Sequence, residues 1–325
     1  MNAVLIIPTG IGCEIGGHAG DATPVAKLLG QCCDKLILHP NVVNASNINE
    51  MPDNALYVEG SMLDRFLLGK FELKEVSNNK ILVVVNDMLP EIVNTISAAR
   101  VILGADIHVV QLDIRLEMEG IITKKGLASG NYTGVNELIA QVSKYQFDAL
   151  AVITHINVSE ETRNTYITQE GGVNPWGKIE AIVSNIIASS INKPTAHAPD
   201  IDNESFSQII DPRKAAEFIS STFCFCIFKG LQKAPRVGIG LSTEDIDALI
   251  LPINVWNDVY AQCRLAGKKI IIVKENKTCF KTCNYPPGND LIFVNNYLEA
   301  AGILMAMKAG IHHLSVRRPI LKLSY

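Results

Sequence analysis

The stretch that decides the fold is residues 3–44, AVLIIPTGIGCEIGGHAGDATPVAKLLGQCCDKLILHPNVVN. Its apolar run at residues 3–8 predicts a buried strand, and the run at residues 35–39 predicts a second one. Between them, Thr23 followed by Pro24 is a typical helix start, because a hydroxyl can cap the helix and proline suits its first turn. Strand, glycine-rich loop, helix and strand in this order predict one unit of an α/β fold.

The loop between these strands is dense in glycine, with Gly10, Gly12, Gly16, Gly17 and Gly20 inside eleven positions. Glycine accepts positive φ angles and lets a ligand approach the backbone closely. The amides that begin the next helix point back at this loop, and a helix N-terminus attracts anions. The residues expected to bind a carboxylate or phosphate are Gly12, Gly16, Gly17, Asp21 and Thr23, with Asn41 and Asn44 beside them. Gly17→Val should then reduce ligand affinity more than stability.

A dinucleotide-binding fingerprint is the alternative interpretation of the same glycines, since they follow a strand with roughly the required spacing. Two features disfavour it. Further glycines and Pro24 delay any stable helix to about Thr23, whereas the fingerprint needs the helix to begin among the glycines. The second strand also ends in His39, where an acidic residue normally holds the ribose. NAD is therefore an unlikely cofactor, and a nicotinamide-dinucleotide-dependent enzyme is the weaker alternative.

The amino-acid composition restricts the classes of protein to which the chain can belong. The chain has 325 residues, of which 48% are hydrophobic and 19% charged, and this balance is typical of a compact globular protein. Its net charge of −4 provides no basic field, so we expect no nucleic-acid partner. No apolar run approaches the ~18 residues that a membrane span requires. We expect a cytoplasmic protein whose partner is a small anionic metabolite, and a homo-oligomer is left open.

The eight cysteines give little support for a structural zinc site, because no CxxC pair occurs. Cys13, inside the glycine-rich loop, is a candidate reactive thiol. Several side chains have the chemistry of metal ligands but lack the close pairing on one helix face that makes a metal site convincing: His18, His39, His155, Glu59 and Asp113. The cofactor stays unknown, with a divalent metal left open.

Further along, strand-like and helix-like segments alternate. β-branched runs such as residues 81–86 and 148–155 lie between helical segments, which predicts strands covered on both faces. The expected fold class is α/β, an open and largely parallel sheet with helices on both faces, with two Rossmann-like lobes as one arrangement. A boundary near residue 190 would give an N-terminal lobe, 1–190, carrying the glycine-rich loop, and a C-terminal lobe, 191–325, with a single domain as the alternative.

Polar side chains follow the predicted strands where they end: His39, Glu59, Asn86 with Asp87, Asp113 and His155. In open α/β sheets, ligands bind at the carboxyl ends of the strands. Two more glycine-rich segments, ASGNYTG at 128–134 and QEGGVNPWG at 169–177, open helices and are expected to bind anions at the same edge. From them we expect contributions from Asn131, Thr133, Gly171, Gly172 and Asn174. The polar stretch 159–172 is predicted to be a loop that covers the site as a lid.

The segments GIGCEIGGHAGDATPVAKLLG, HPNVVNAS and EGGVNPWG together resemble an uncharacterised domain-of-unknown-function family of cyanobacteria and related photosynthetic lineages. The resemblance covers most of the chain. It implies a cytosolic or plastid-stroma setting, and it implies no activity, cofactor or catalytic residue.

Two functions of different classes fit the sequence. The first is an enzyme that acts on a small carboxylate or phosphate metabolite by acid–base chemistry, with His39, His155, Glu59 and His18 as catalytic candidates. The residues do not distinguish a hydrolase, a lyase and an isomerase. The second is a non-catalytic binding or sensor protein that uses the same crevice. Either way, these four side chains should line one pocket, whereas His197 is assigned to packing or surface.

Overall fold

The computed structural model describes residues 1–18, 20–199, 211–219, 223–288 and 290–320. Its strands are β1 (Asn2–Leu5), β2 (Lys35–Leu38), β3 (Ala55–Tyr57), β4 (Leu73–Lys74), β5 (Lys80–Val85), β6 (Asp106–Gln111), β7 (Glu117–Ile122), β8 (Ala128–Thr133), β9 (Ala149–Thr154), β10 (Ile156–Val158), β11 (Thr195–Pro199), β12 (Arg236–Val237), β13 (Ile246–Pro252), β14 (Lys269–Val273) and β15 (Leu291–Val294). Its α-helices are α1 (Thr23–Gly30), α2 (Gly60–Leu67), α3 (Pro90–Ile102), α4 (Val135–Val142), α5 (Glu160–Thr168), α6 (Gly177–Ile191), α7 (Pro212–Ile219), α8 (Phe223–Lys233), α9 (Asp258–Leu265) and α10 (Tyr297–Lys308). Short 3₁₀ helices cover Ala45–Glu50, Thr243–Asp245 and His313–Val316.

The first sheet has six parallel strands in the order β15-β14-β13-β1-β2-β3. Starting from β1, the chain adds β2 and β3 on one side and later adds β13, β14 and β15 on the other. This is the doubly wound order, and its direction reverses between β1 and β13. In such sheets the crevice for a ligand opens at the carboxyl ends of the strands beside that reversal.

Helices cover both faces of this sheet, as the fold class predicted. On one face α1 and α10 pack through residues such as Leu29 and Leu304 against Leu5 of β1. On the other face α2 and α9 pack through Phe66 and Tyr260. Alternate residues of the strands point to opposite faces, so apolar side chains are needed on both sides of β1 and β13. The continuous apolar runs read from the sequence are therefore confirmed as doubly covered parallel strands.

The second sheet has four parallel strands in the order β11-β9-β5-β6, with α3 and α8 on one face and α4 and α6 on the other. All its strands lie in the chain between β3 and β13, so it is an insertion into the first sheet. The short antiparallel ribbon β4–β12 marks where the chain leaves and returns. The predicted lobes 1–190 and 191–325 do not coincide with the two sheets, because β11 pairs with β9 across residue 190 and β13 pairs with β1.

Three segments predicted to be irregular have regular structure. The predicted lid contains α5, whose first turn is capped because the Ser159 side chain accepts a hydrogen bond from the Thr162 amide. Residues 128–133 are β8, which pairs antiparallel with β7, and β11 begins at Thr195. Polar composition hid the first two, since β8 and α5 are largely exposed and need few apolar residues. The third lies in residues 192–212, which the prolines at 194, 199 and 212 predict to be irregular and of which residues 200–210 lie outside the described residues.

Over the part of the chain that the structure describes, no helix combines the length and the apolar character needed to cross a lipid bilayer.

Candidate functional site

A cleft of about 770 Å³ lies between the carboxyl ends of the first sheet and a wall formed by β11, α6 and α8. This volume lies in the range of small-molecule sites. The residues predicted from the sequence that line it are Gly17, His18, His39, Asn41, Asn44, Glu59 and Asn174. The sequence therefore located one wall of the cleft, built from the ends of β1, β2 and β3, and part of the opposite wall.

Glu59 follows β3 and directly precedes α2, and the residue is 6% exposed. Burial raises the pKa of its carboxyl group to about 8, against the weaker opposing effect of a hydrogen bond from Tyr57. Within the described part of the chain, its Oε1 atom has no hydrogen-bond partner. Since charge is costly in an apolar surrounding, this carboxyl group holds its proton at neutral pH. Glu59 therefore brings an acidic proton to the cleft, which is the property expected of a general acid.

His39 follows β2 and touches the start of α2. Burial lowers the pKa of its imidazole to about 4, so the ring is neutral. Its Nδ1 accepts a hydrogen bond of 3.2 Å from the amide of Asn41. A neutral ring that accepts at Nδ1 carries its proton on Nε2. A Cβ atom on Gly60 would lie 2.9 Å from Nε2, so glycine there leaves room for the ring. His39 thus presents a hydrogen-bond donor to the region around Gly60.

Asn41 connects the ends of β1 and β2. Its side-chain nitrogen donates to the carbonyl of Ile7 at 2.9 Å and to the hydroxyl of Thr9 at 3.0 Å. These bonds hold the chain that leaves β1 against the chain that leaves β2. Asn41 therefore positions the wall, and its amide also sets the tautomer of His39.

His18 lies in the glycine-rich loop and is 4% exposed. Its Nδ1 is 2.8 Å from the hydroxyl oxygen of Tyr166 in α5. Burial lowers the pKa of His18 to about 4, and the charges of Lys214 and Arg213 act in the same direction. Lys214 is fully buried and donates to the carbonyls of Tyr166 and Gln169 at the end of α5. The predicted lid segment is thus anchored to the glycine-rich loop through buried side chains.

The rest of the glycine-rich loop faces a carboxyl group of the chain itself. Burial raises the pKa of Asp21 to about 6, while hydrogen bonds from the amides of Gly16 and His18 oppose that shift. Its Oδ1 atom has no hydrogen-bond partner among the described residues. Thr23 begins α1, as predicted, but its hydroxyl does not cap the helix: Ala22 occupies the cap position, and the hydroxyl donates to the carbonyl of Gly20 at 2.6 Å. Neither Asp21 nor Thr23 lines the cleft. Two of the amides in the loop, those of Gly16 and His18, therefore donate hydrogen bonds to Asp21 of the same chain.

Two glycines of the loop have packing roles. A Cβ atom on Gly17 would lie 2.1 Å from the carbonyl oxygen of Cys13, although Gly17 lines the cleft. Gly16 has a φ of +78°, and a Cβ there would lie 2.3 Å from Ile7. Both positions exclude larger residues for reasons of loop geometry. We therefore expect Gly17→Val to lower stability, and its effect on ligand affinity stays a prediction.

Gly12 has a φ of +60°, and a Cβ atom there would lie 3.2 Å from the carbonyl oxygen of Gly172. It lies outside the cleft lining, so its role is also one of packing between two loops.

Six further predicted residues are not brought to the cleft. They are Asp113, Asn131, Thr133 and His155, which are exposed, and the neighbouring Gly171 and Gly172. Asp113 and His155 follow strands of the second sheet, whereas Asn131 and Thr133 lie on β8, in a three-stranded sheet with the order β10-β7-β8. The Gly171 amide donates to Asp211 at 2.7 Å, and Asp211 pairs with Arg213. Gly172 is exposed beside it. The polar strand ends do not all share one edge, because the strands are divided among several sheets.

Asn174, by contrast, contributes to the cleft through the start of α6. Its side-chain oxygen accepts hydrogen bonds from the amides of Trp176 and Gly177 at 2.9 and 3.0 Å. The next residue, Lys178, lines the cleft and places a cation there. Its charge opposes the effect of burial, which raises the pKa of Asp64 on the facing α2. A helix start with a lysine beside it favours a negatively charged ligand.

His197 of β11 is an important residue of the cleft that its sequence context did not reveal. Its side chain is fully buried and lies between two partners: Nδ1 is 3.2 Å from Oε1 of Glu180 in α6, and Nε2 is 3.0 Å from the hydroxyl of Thr154. Both His197 and Glu180 line the cleft. This row of hydroxyl, imidazole and carboxylate orients Glu180 at the wall formed by α6 and β11. The segment TAHAP was hidden by its flanking prolines, although its alternation of small and polar residues was the available signal.

Cys13 is a buried residue of the glycine-rich loop. Burial raises the pKa of its thiol far above the ordinary value, and Sγ faces the carbonyl of Pro8, so Cys13 is a poor nucleophile. Within the described ranges, no group of three or more His, Cys, Asp or Glu side chains is placed to hold a metal ion.

Comparison with known proteins gives a family without an assigned activity. Residues 2–317 match the family described as "Protein of unknown function (DUF3326)". An uncharacterized lipoprotein of Synechococcus sp. is 31% identical over 343 aligned positions, which cover 100% of this chain and 96% of the relative. No solved structure matches the chain.

Proposed function

The chain belongs to the DUF3326 family, and we propose that it is an enzyme that transfers protons on a small anionic metabolite bound in the cleft. The observation that carries the proposal is Glu59, a buried carboxyl group that lines the cleft, has a pKa of about 8 and leaves one oxygen without a partner among the described residues. Burying such a group costs stability, and a cost of this kind is commonly retained at active sites.

Glu59 acts as the general acid. Its proton is held at neutral pH and is available to an atom of the substrate that becomes more basic during the reaction. His39 supplies a second donor, because its neutral ring carries the proton on Nε2. A neutral imidazole of this kind stabilises negative charge that develops on a substrate oxygen.

Glu180 acts as the general base on the opposite wall. His197 donates from Nδ1 to its carboxylate and so fixes the orientation of the group. Lys178, which precedes Glu180 in the first turn of α6, attracts the anionic part of the substrate. The site then contains a proton donor, a proton acceptor and a cation, which fits a hydrolase, a lyase or an isomerase. His155, which lies outside the cleft, has no catalytic role in this proposal.

The test uses a panel of carboxylated and phosphorylated metabolites in deuterium oxide, followed by proton NMR. Conversion of a compound, or loss of one of its C–H signals, reports proton transfer whatever the product is. For the compound that responds, Glu59→Gln should lower the rate about 100-fold or more and change the affinity only slightly. Glu119→Gln is the matched control, because Glu119 is exposed on β7 and lies outside the cleft lining. An unchanged rate in Glu59→Gln would contradict the proposal.

The second candidate is a non-catalytic binding or sensor protein that uses the same cleft. It is favoured by the anchoring of the predicted lid, whose α5 is tied to the glycine-rich loop through His18 and to the buried Lys214. A sensor should bind a member of the panel without converting it, and Glu59→Gln should then reduce the affinity alone.

For the location of the protein, the cytoplasm or the plastid stroma remains our proposal. The relative from Synechococcus sp. is named a lipoprotein. Cell fractionation with detection of the endogenous chain distinguishes a cytoplasmic or stromal location from attachment to a membrane. Recovery of the chain with membranes after a high-salt wash would contradict the proposal.

A further inference from the structure

The cleft has an aromatic wall at the carboxyl end of β13, formed by Trp256, Tyr260 and Phe280. Aromatic residues make up only 6% of the chain, yet both of its tryptophans, Trp176 and Trp256, line this cleft. Trp256 is half-buried and Phe280 is 38% exposed. Proton transfer by Glu59 and Glu180 does not require these aromatic side chains.

Asn254 builds the wall. It follows the end of β13 and has a φ of +62°, which non-glycine residues adopt at some cost. Its amide donates to the hydroxyl of Tyr285 at 2.7 Å, and its side-chain nitrogen donates to the carbonyl of Phe280 at 2.9 Å. One strained residue thus holds both aromatic segments beside the cleft.

The ring of Trp256 is held by further aromatic contacts. Tyr285 meets it edge-on, with ring centroids 5.9 Å apart, and Phe293 of β15 meets Tyr285 in the same manner at 5.3 Å. These aromatic contacts restrict the rotation of the Trp256 ring, which lines the cleft. This is the arrangement that a stacking platform for a planar group requires.

The aromatic wall and Glu59 lie at the ends of different strands of the first sheet. β13 is separated from β2 by one strand and from β3 by two, which places their ends about 10 and 14 Å apart at the usual strand spacing. A metabolite with a backbone of only a few carbon atoms does not reach across this distance. The cavity volume of about 770 Å³ likewise suits a larger molecule.

We infer that the substrate is an elongated metabolite with a planar ring, which packs on the aromatic wall at Trp256 and Phe280 while the anionic, reacting end lies near Glu59. This inference rests on the proposed function, because it names the substrate class of that same site. The shared chemistry covers nucleotides and aromatic acids, and matched probes separate the two sources.

The experiment compares two matched pairs of probes: AMP with ribose 5-phosphate, and phenylpyruvate with pyruvate. In each pair the second compound keeps the anionic group and lacks the ring. Binding is followed by fluorescence of the Trp176→Phe protein, in which Trp256 is the remaining tryptophan, and by isothermal titration of the wild-type protein. At least one compound with a ring should bind about tenfold more tightly than its partner and change the emission of Trp256.

Trp256→Ala and Phe280→Ala should each remove most of that advantage and leave the affinity for the partner without a ring unchanged. Phe280 is exposed, so its variant folds even if loss of Trp256 disturbs the wall. Equal affinity within both pairs overturns the inference and leaves the proposed function standing. Failure of all four probes to bind overturns the inference and also removes the support for an anionic substrate. A larger advantage for AMP indicates a nucleotide, and one for phenylpyruvate indicates an aromatic acid; either result supports the inference.

Discussion

The carboxyl groups of Glu59, which is buried, and Asp21, which is partly buried, show how different surroundings change the pKa of the same chemical group. In the glycine-rich loop, Asp21 faces the amides of Gly16 and His18 and the charge of Arg213, and its pKa rises only to about 6. At the junction of β3 and α2, Glu59 receives a hydrogen bond from Tyr57, and its pKa rises to about 8. Burial is the main cause of both shifts and is deeper for Glu59; amide groups and a cation also compensate Asp21 for lost water more than one hydroxyl compensates Glu59.

The difference bears on the place of the proposed proton donor. The loop with the densest sequence signal surrounds a carboxyl group that loses its proton near neutral pH and lies outside the cleft. The plain segment YVEGS, residues 57–61, holds the protonated carboxyl group inside the cleft. A conspicuous motif therefore marked a well-packed structural element, and the candidate acid came from a short strand end beside it.

The largest expected effect is on the pH dependence of stability through Glu59. Its folded pKa of about 8 lies above its ordinary value of 4.5, so its protonated form favours folding, and that stability is complete below pH 4.5. As the pH rises to 8, the wild-type protein should lose on the order of 4 kcal/mol of unfolding free energy through this group. Glu59→Gln should remove that loss, as measured by urea unfolding at several pH values. If Glu119→Gln flattened the profile equally, the assignment to Glu59 would be wrong.

The next effect concerns the packing role of the loop. A Cβ atom on Gly17 would lie 2.1 Å from the Cys13 carbonyl oxygen, so Gly17→Val should lower the unfolding free energy by about 3 kcal/mol. Gly302→Val is the matched control, because Gly302 lies exposed in α10 and a Cβ there would meet no atom of the described residues within 4 Å. Urea unfolding of both variants gives the comparison. Normal stability of Gly17→Val combined with lost binding of the responding metabolite would restore the view that Gly17 serves close ligand approach.

The smallest expected effect is on the pH dependence of stability through Asp21. The folded pKa of Asp21, about 6, exceeds its ordinary value of 3.8, so its contribution to stability is complete below pH 3.8 and is lost as the pH rises through 6. Because Glu59 titrates over part of the same range, the measurement uses the Glu59→Gln protein. Adding Asp21→Asn to it should remove a loss on the order of 2 kcal/mol between about pH 4 and 6.

The control for this prediction is binding of the responding metabolite, which Asp21→Asn alone should leave unchanged because Asp21 lies outside the cleft lining. If the double variant lost as much stability between about pH 4 and 6 as Glu59→Gln alone, Asp21 would not be the second titrating group, and the contrast between the two carboxyl groups would not hold.

The sequence predicted most elements correctly because their signals are local. The apolar runs that became β5, β9, β13 and β14 are read from consecutive residues, and the start of α1 at Thr23 is read from its threonine and proline. The errors lie where local signals are weak. α5 and β8 are mostly exposed, so neither carries the apolar pattern that marks a covered element.

The amino-acid sequence by itself determined the α/β class, the glycine-rich loop and one wall of the cleft, including His18, His39 and Glu59. Only the tertiary structure decided that β13 returns to pair with β1 and that β11 belongs to an inserted second sheet. Because β11 pairs with β9 in the second sheet, His197 lines the cleft and His155 does not. The physical reason is that the periodicity of neighbouring residues determines whether a segment forms a helix or a strand. The partners of a strand in the sheet depend instead on burial summed over the whole chain.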